Sequence, residues 1–286
     1  MSAQLMPGQP VADAVLADVA ERVAKLAALG ITPGLGTILV GDDAPSAGYV
    51  SRKHETCEKV GIRSFHAHIE ASQGQQALLS MVDELNENPD VDGFIIQHPV
   101  PDGFDLNEAL LRMDPAKDAD GLHPASLGRL VLQEPGPVPA TPAGIIAMLV
   151  HYGIPTAGQH VVIVGRGPTL GRPLALLMSN RGEGGDAAVT VVHSKVDDLG
   201  AYTRQADILI GAVGVPELVT ADMVKPGAVV ISGGITWEGR TLRPDVSESV
   251  HEVAAWITPR LGGVGPTTVA MLLRNTVEAA ERRASG

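Results

Sequence analysis

The sequence is poor in cysteine and in aromatic residues. A single cysteine, Cys57, occurs among 286 residues, so an internal disulfide is excluded. A chain of this kind is typical of a reducing compartment, and we interpret Cys57 as a small core residue. Aromatic residues make up only 3% of the chain, whereas 44% of it is apolar. The core must therefore be built from Ala, Val, Leu and Ile, which favours a parallel sheet covered on both faces.

Long apolar runs and an excess of basic charge are also missing. No stretch approaches the roughly 18 apolar residues that a membrane span needs, and the N-terminus lacks the pattern of a signal peptide. We therefore expect a cytoplasmic protein that does not enter a membrane.

The chain has 21 basic and 33 acidic residues, a net charge of −12. Such a surface repels phosphate backbones, which argues against nucleic acid as a partner but allows a local pocket for one small anion.

What the sequence contains is a repeated alternation of strand and helix patterns. The length suggests two domains, and the proline-rich stretch LQEPGPVPATP (132–142) marks their boundary. We expect one domain over 1–140 and a second over 141–265, with a C-terminal helix, 266–286, packing back onto the first.

The patterns before the boundary predict strands at 35–41, 62–70 and 91–97 and helices at 10–29, 48–62, 75–88 and 105–113. Those after it predict strands in HVVIVG, AAVTVVH, DILIGAVG and GAVVISG and helices at 171–180, 197–205 and 265–283. This order predicts parallel βαβ units.

One predicted helix carries a charge on its apolar face. In GYVSRKHETCEKVGI (48–62), a period of 3.6 residues places one charge among apolar side chains: Tyr49, Val50, Lys53, Cys57 and Val60. The stem of Lys53 could pack there while its ammonium group reaches water. Alternatively, Lys53 is a catalytic lysine that faces a cleft. The segment alone is compatible with both interpretations.

A strand that runs into glycines, VVIVGRGPTLGRP (161–173), predicts a phosphate-binding loop. Glycines allow a tight turn, and the N-terminus of the following helix offers free amides to a pyrophosphate. The next strand ends in HSK (193–195) rather than in the acid that usually binds the ribose of NAD. Together with Arg166 in the loop, this favours NADP. A structural turn, and a solvated loop without a ligand, are the alternatives.

Two further segments offer candidate site residues. Gln97 ends a predicted strand, the position where open α/β sheets bind ligands, although a glutamine there more often hydrogen-bonds its own loop. The run DPAKDADGLHP (114–124) holds Asp114, Asp118 and Asp120 among turn formers, and its usual interpretation is a solvated loop. The nine histidines show no metal-ligand spacing, so we predict no metal site.

Six sequence blocks occur in order along the chain: S-x-x-Y-V-x-x-K, Q-x-P-x-P, K-D-x-D-G, G-R-x-x-x-x-G, H-S-K and T-P-x-x-G-G-V-G-P-x-T. Together they resemble the bifunctional methylenetetrahydrofolate dehydrogenase/cyclohydrolase family over essentially the whole chain. The resemblance implies a homodimer of two α/β domains, the first folate-binding and catalytic and the second a Rossmann-like NADP-binding domain, with the active-site cleft between them. It implies oxidation of 5,10-methylenetetrahydrofolate with NADP, and hydrolysis of the methenyl product to 10-formyltetrahydrofolate.

The resemblance also implies roles for single residues. Lys53 becomes the general acid/base, Gln97 tunes it, and Asp120 completes the catalytic group by holding the pterin. Tyr49 stacks on the aminobenzoyl ring of the folate. The other implied substrate-binding residues are Ser46, Pro99, Gly262 and Pro266. The implied cofactor-binding residues are Gly165, Arg166, Gly167, Gly171, Ser194 and Ile235.

Several positions depart from the family pattern. His98 stands where the family usually has leucine, Ser232 where it has aspartate, and Gly167 where it has serine. Arg260 and Leu261 replace a Val-Pro pair. Two rival hypotheses therefore accompany the family interpretation. One is a different two-domain NADP dehydrogenase acting on an amino or hydroxy acid, and the other is a non-catalytic NADP-binding homologue.

Overall fold

Strands and helices alternate along the chain, as the sequence patterns predicted. The structure, a computed structural model, describes residues 2–239 and 241–285. The strands are β1 (Gln4–Leu5), β2 (Gly34–Val40), β3 (Arg63–Ile69), β4 (Gly93–Ile96), β5 (His160–Val164), β6 (Ala188–Val192), β7 (Ile208–Gly211), β8 (Val229–Ser232), β9 (Ile235–Glu238), β10 (Thr241–Pro244) and β11 (Trp256–Ile257). The helices are α1 (Gln9–Ala27), α2 (Ala44–Val60), α3 (Gly74–Glu87), α4 (Leu106–Arg112), α5 (Pro124–Leu132), α6 (Ala140–His151), α7 (Gly171–Ser179), α8 (Leu199–Thr203) and α9 (Val264–Ser285). The predicted α/β class is confirmed.

The chain forms two units. The N-terminal unit comprises Asp13–Ala140 and Val269–Gly286, and the C-terminal unit comprises Met1–Ala12 and Thr141–Thr268. The first residues therefore differ from the expected assignment to the N-terminal domain. The physical reason is strand pairing, because β1 pairs in parallel with β11, at the other end of the sequence.

In the N-terminal unit, β2 is the middle strand of a three-stranded parallel sheet with the order β3-β2-β4. All seven residues of β2 are buried, as expected for a central strand. Gly36 of β2 allows a close approach, since a Cβ atom at this position would lie 2.8 Å from Cβ of Phe94. Ile38 of β2 pairs with Ile96 of β4, so the chain leaves the sheet at Gln97. The predicted strand-end position of Gln97 is confirmed.

In the C-terminal unit, six strands form a parallel sheet with the order β1-β11-β8-β7-β5-β6. The inner strands β5 and β7 are buried and almost entirely aliphatic. This agrees with a core built from aliphatic residues on both faces of the sheet. A separate antiparallel pair, β9 and β10, follows β8 along the chain.

Helix α2 is fixed at both ends by local contacts. The Asp43 carboxylate accepts a hydrogen bond of 2.9 Å from the backbone amide of Ser46, a standard N-cap. At the other end Gly61 adopts a φ of 80°, which favours glycine. These caps define where the helix begins and ends. Four members of the predicted apolar stripe are buried, Val50, Lys53, Cys57 and Val60, whereas Tyr49 is partly buried.

Asp118 organises the turn that follows the N-terminal sheet. Its residue surface is only 2% exposed, so the solvated-loop interpretation is wrong for this residue. One carboxylate oxygen accepts hydrogen bonds from the backbone amides of Gly121 and Leu122, at 2.9 and 3.2 Å. The other oxygen accepts hydrogen bonds from the amide of His123 and the hydroxyl of Ser126, at 2.8 and 2.7 Å. Four donors to one buried carboxylate hold this turn in a single conformation.

The same turn has no space for a side chain at Gly121. Gly121 has a φ of 73°, and a Cβ atom there would lie 2.5 Å from the backbone of Val138 and Pro139. The backbone carbonyl of Asp120 accepts a hydrogen bond of 3.1 Å from the amide of Ala140. Asp120 is therefore positioned by its own backbone and by the anchored residues on either side of it.

Within residues 2–239 and 241–285, no helix combines the length and the apolar character that a membrane crossing requires.

We expect Asp118→Ala to lower the free energy of unfolding by about 3 kcal/mol or more, because it leaves buried donors without an acceptor. Asp114→Ala is the matched control. Asp114 is exposed, and its carboxylate accepts one short-range hydrogen bond, from the amide of Ala116 at 2.8 Å. Its loss should cost about 1 kcal/mol. Urea unfolding followed by circular dichroism measures both values, and equal losses in the two variants would contradict this account of the turn.

Candidate active site

Lys53 is a buried lysine whose partner is uncharged. It is 6% exposed, on the face of α2 that also buries Val50 and Cys57. Its Nζ donates a hydrogen bond of 2.6 Å to Oε1 of Gln97. The two residues that the sequence predicted as the catalytic base and its tuning partner are therefore in direct contact. Snorkelling of Lys53 to water is not what the structure shows.

Gln97 is held so that its carbonyl oxygen points at the lysine. Its backbone amide donates to the carbonyl of Ile38 at 2.8 Å, which continues the sheet pairing by one residue. Its side-chain Nε2 donates to the backbone carbonyl of His98 at 2.7 Å. That same carbonyl accepts from the hydroxyl of Ser46 at 3.4 Å, which brings Ser46 into the group. Because Nε2 of Gln97 is hydrogen-bonded to His98, it is the carbonyl oxygen, Oε1, that faces Lys53 and accepts its hydrogen bond.

Burial lowers the pKa of Lys53 from its ordinary value of 10.5 to about 8. The cause is desolvation of the ammonium form, and the nearby Asp120 carboxylate opposes it. A pKa of about 8 leaves about one tenth of the side chains neutral at pH 7, compared with well under one in a thousand for an ordinary lysine. A neutral amine is a base, so the site can accept a proton near neutral pH.

Asp120 and His98 complete a group of interacting charges around Lys53. Burial raises the pKa of the Asp120 carboxyl, while His98 and Lys53 counteract this because positive charge favours the carboxylate. Burial lowers the pKa of His98, which Lys53 lowers further and Asp120 raises. Lys53, His98 and Asp120 therefore influence one another's pKa values. His98, which replaces the leucine of the family pattern, adds a third titratable group to this site.

Tyr49 and Pro99 lie close in sequence to Lys53 and Gln97, respectively. Tyr49 lies one helical turn before Lys53 and is partly buried. The guanidinium group of Arg52 lies 4.5 Å from the centre of its ring, a cation–π contact. Pro99 is exposed and follows His98 through a cis peptide bond.

Gly262 and Pro266, the remaining substrate-binding predictions, lie in the C-terminal unit. Gly262 is exposed, has a φ of 73°, and its carbonyl accepts a hydrogen bond of 2.8 Å from the amide of Gly8. Pro266 lies in the first turn of α9. Neither residue belongs to the unit that contains Lys53 and Gln97.

The predicted cofactor residues share one edge of the C-terminal sheet. Val164 of β5 pairs with Val192 of β6, and Arg166 and Ser194 each follow these paired residues by two positions. Both side chains are exposed. Because parallel strands end at the same edge of a sheet, this edge presents a cation and a hydroxyl group side by side.

The glycine loop at this edge is tightly packed. Gly165 has a φ of 125°, and a Cβ atom there would lie 2.3 Å from the carbonyl oxygen of Ala212. A Cβ atom on Gly171 would lie 2.3 Å from the carbonyl oxygen of Gly165. Gly167 has nothing within 4 Å of the corresponding position. Two glycines are therefore required by close packing, while Gly167 leaves open space where a ligand could approach the backbone.

Ile235 lies at the same edge, three residues after Ser232, the last residue of β8. It is 40% exposed, so its apolar side chain is available to contact a ring. These residues fit a dinucleotide: a backbone cradle for phosphates, a cation and hydroxyl for a further phosphate, and an exposed apolar side chain.

Asp42, His68 and Glu70 form an exposed group of potential metal ligands, with one atom of each within 4.8 Å of the others. The Nε2 atom of His68 faces Asp42 at 3.4 Å, whereas its Nδ1 atom faces Glu70 at 3.7 Å. The two carboxylates thus face different nitrogens of the same ring.

The sequence patterns did not indicate that three aspartates are buried: Asp92, Asp118 and Asp245 are at most 4% exposed. They also did not indicate the contacts of Lys117. The ammonium group of Lys117 donates to the carbonyls of Leu85, Asn86 and Asn88, which end α3, at 2.8–2.9 Å. The block K-D-x-D-G contained the signal for Lys117 and Asp118, but only as part of a family pattern. Nothing local in the sequence marks Asp245.

Two family models match the chain. The model described as "Tetrahydrofolate dehydrogenase/cyclohydrolase, catalytic domain" matches residues 6–120. The model described as "Tetrahydrofolate dehydrogenase/cyclohydrolase, NAD(P)-binding domain" matches residues 139–284. The first range contains the Lys53–Gln97 contact, and the second contains the glycine loop.

Individual relatives agree with these models. A protein named "Bifunctional protein FolD" from Syntrophotalea carbinolica is 68% identical over 284 residues, which cover 99% of this chain and 98% of that protein. A FolD methylenetetrahydrofolate dehydrogenase/cyclohydrolase from Campylobacter jejuni is 38% identical, with 99% of this chain and 100% of that chain covered and a TM-score of 0.92. A Trypanosoma brucei FolD, solved with NADP cofactor and an inhibitor, is 35% identical over 100% of both chains, with a TM-score of 0.93. The present chain therefore belongs to the tetrahydrofolate dehydrogenase/cyclohydrolase family.

Proposed function

We propose that this protein oxidises 5,10-methylenetetrahydrofolate to the 5,10-methenyl form with NADP and hydrolyses that product to 10-formyltetrahydrofolate. The observation that supports the proposal most strongly is the buried contact between Nζ of Lys53 and Oε1 of Gln97, at 2.6 Å. It provides a base with a lowered pKa, which hydrolysis of the methenyl cation needs. Family membership argues against the rival hypothesis of an amino or hydroxy acid dehydrogenase.

In the hydrolytic step, Lys53 acts as the general acid/base. Water adds to the cationic methenyl carbon, and the neutral amine of Lys53 takes one proton from that water. The bond from this carbon to N5 of the folate then breaks, and the lysine ammonium returns the proton to N5. The hydroxyl proton of the adduct leaves to solvent as the formyl carbonyl forms. The positive charge of the substrate favours the neutral amine before the reaction begins.

Gln97 serves this step because it carries no charge. A carboxylate at 2.6 Å from Nζ would stabilise the ammonium form and raise the pKa of Lys53. The amide oxygen instead orients the amine by one hydrogen bond and leaves desolvation to set the pKa.

Asp120 is proposed to hold the pterin through its amino and ring N–H groups. Its carboxylate lies in the electrostatic range of Lys53, so a ligand that donates hydrogen bonds to it also weakens its stabilisation of the ammonium form. Tyr49 is proposed to stack on the aminobenzoyl ring. The other proposed substrate contacts follow the family pattern: Ser46, Pro99, Gly262 and Pro266.

In the C-terminal unit, Arg166 and Ser194 are proposed to bind the 2′-phosphate of NADP. Arg166 can make a bidentate, charge-assisted contact and Ser194 can add a hydroxyl donor. The glycine loop with Gly165, Gly167 and Gly171 is proposed to receive the pyrophosphate, and Ile235 to contact a ring. Bound NADP supplies the hydride acceptor for the oxidation. On the family resemblance, we also propose that the protein is a cytoplasmic homodimer whose N-terminal unit, Asp13–Ala140 with Val269–Gly286, binds the folate.

We expect Lys53→Met to reduce cyclohydrolase activity about 10²- to 10⁴-fold, because methionine has similar volume and no titratable amine. Lys53→Arg should be similarly impaired, since arginine keeps the charge but does not deprotonate. In wild type, kcat/KM for hydrolysis should rise with pH and level off above pH 8, where the amine is neutral. Decay of methenyl absorbance measures each rate.

The matched control is Lys59→Met, on the exposed face of the same helix, which should retain wild-type activity. Far-ultraviolet circular dichroism establishes that the variants are folded. Hydrolysis by a folded Lys53→Met protein within a few-fold of wild type would exclude Lys53 as the base.

We expect a preference for NADP over NAD of about tenfold or more in kcat/KM, because one charge-assisted contact to the 2′-phosphate is worth about 1.5–3 kcal/mol. Gly167 lacks the hydroxyl of the family's serine, so the preference should lie near the lower end of that range. Arg166→Ala should remove most of the preference. Arg181→Ala, an exposed arginine just after α7, is the control and should keep it. A wild type that prefers NAD, or an Arg166→Ala variant with undiminished preference, would contradict the assignment.

A further inference from the structure

The C-terminal unit contains a buried carboxylate, Asp245, for which the proposed chemistry has no use. It follows β10 directly and is 0% exposed. Burial raises the pKa of its carboxyl, while hydrogen bonds from the Ser232 hydroxyl and from backbone amides act in the opposite direction. Among residues 2–239 and 241–285, these partners are neutral and no cation pairs with it. A buried acid without a cation is costly to maintain, so its contacts indicate what it does.

Asp245 connects two loops that follow neighbouring strands. One carboxylate oxygen accepts from the hydroxyl of Ser232, at the end of β8, at 2.7 Å. The other accepts from the backbone amide of Val213, in the loop after β7, at 3.2 Å. The backbone amide of Asp245 donates to the carbonyl of Gly234 at 3.2 Å. One residue thus fixes the ends of β7 and β8 relative to each other.

Glycines make room for this carboxylate. A Cβ atom at Gly211 would lie 2.5 Å from one carboxylate oxygen, and a Cβ atom at Gly234 would lie 2.2 Å from the other. The amides of Gly233 and Gly234 both donate to the carbonyl of Gly211, at 2.9 and 3.2 Å. The loops after β7 and β8 are therefore joined by hydrogen bonds into one layer, and the Asp245 carboxylate packs against this layer.

This layer supports residues at the cofactor edge. Gly165 packs against the Ala212–Val213 segment, since a Cβ atom at this position would lie 2.3 Å from the carbonyl oxygen of Ala212 and 3.0 Å from Cγ1 of Val213. Ile235 directly follows Gly234, whose carbonyl is bound by Asp245. Movement of the Asp245 carboxylate would therefore shift both the floor of the glycine loop and the exposed Ile235.

We propose that Asp245 is a positioning residue for the NADP site. It does not contact the cofactor but holds the loops after β7 and β8, through Val213, Ser232 and Gly234, in the arrangement that the dinucleotide requires. The inference rests on the proposed function of this edge as the cofactor site. It adds a specific role for a residue outside the glycine loop.

The two proposed activities provide the test, because hydrolysis of methenyltetrahydrofolate consumes no cofactor. Asp245→Ala should raise the Kd of NADP measured by calorimetry, and the KM of NADP in the oxidation, about tenfold or more. Its cyclohydrolase rate should stay within about twofold of wild type, since the base lies in the other unit. Asp245→Asn should recover most of the affinity, because an amide can accept from Val213 and donate to the Ser232 hydroxyl.

Asp207→Ala is the matched control. Asp207 belongs to the same sheet but precedes β7, where it binds the amide of His160 at 2.9 Å and the ammonium group of Lys225 at 2.6 Å. Its replacement should leave the Kd of NADP unchanged. If Asp245→Ala does not fold, Ser232→Ala carries the test and should weaken NADP binding about threefold or more.

Unchanged NADP affinity in the folded variants, or an equal loss of both activities in Asp245→Ala, would overturn the inference. A wild-type protein that does not bind NADP would instead overturn the proposed function. The two failures are therefore distinguishable by the wild-type calorimetric measurement alone.

Discussion

The proposed chemistry of this protein depends on keeping one ammonium group away from water without giving it a charged partner. Lys53 is 6% exposed, its hydrogen-bond acceptor is the neutral amide of Gln97, and its pKa falls to about 8 as a result. An aspartate in place of the glutamine would satisfy the lysine better and would remove the neutral amine. The charge of Asp120 already favours the ammonium form of Lys53, and His98 favours the ionised form of that carboxyl.

Several elements of the fold maintain this arrangement. The N-cap by Asp43 and the C-cap at Gly61 define where α2, which carries the lysine, begins and ends, and the pairing of β2 with β4 fixes where Gln97 leaves the sheet. The Asp118 turn fixes the neighbouring Asp120. The C-terminal unit has a related feature, because Asp245 is likewise a buried carboxylate that accepts a hydrogen bond from a backbone amide, that of Val213 in the loop after β7. In each unit a buried acid thus binds the backbone of a loop that follows a strand.

The sequence predicted features that arise from local periodicity and from short motifs. The alternation of strands and helices, the apolar stripe around Lys53 and the glycine loop all belong to this class, and their element boundaries lie close to those observed. Features that depend on contacts between distant segments were missed. The first strand pairs with the last one, at Trp256, and two-residue strands have no readable period. The burial of Asp118 and Asp245 comes from partners that only the folded chain assembles, and polar turn sequences resemble solvated loops.

The pKa of Lys53 itself is the most direct measurement of whether its burial produces a base. Protein labelled with ¹⁵N-lysine, titrated by NMR at Nζ, gives this value, and loss of one resonance in Lys53→Met assigns it. A transition near pH 8 is expected for Lys53, well below the ordinary lysine pKa of about 10.4. A Lys53 resonance with its transition at the ordinary lysine value would contradict the account, because the amine would then be protonated under all physiological conditions.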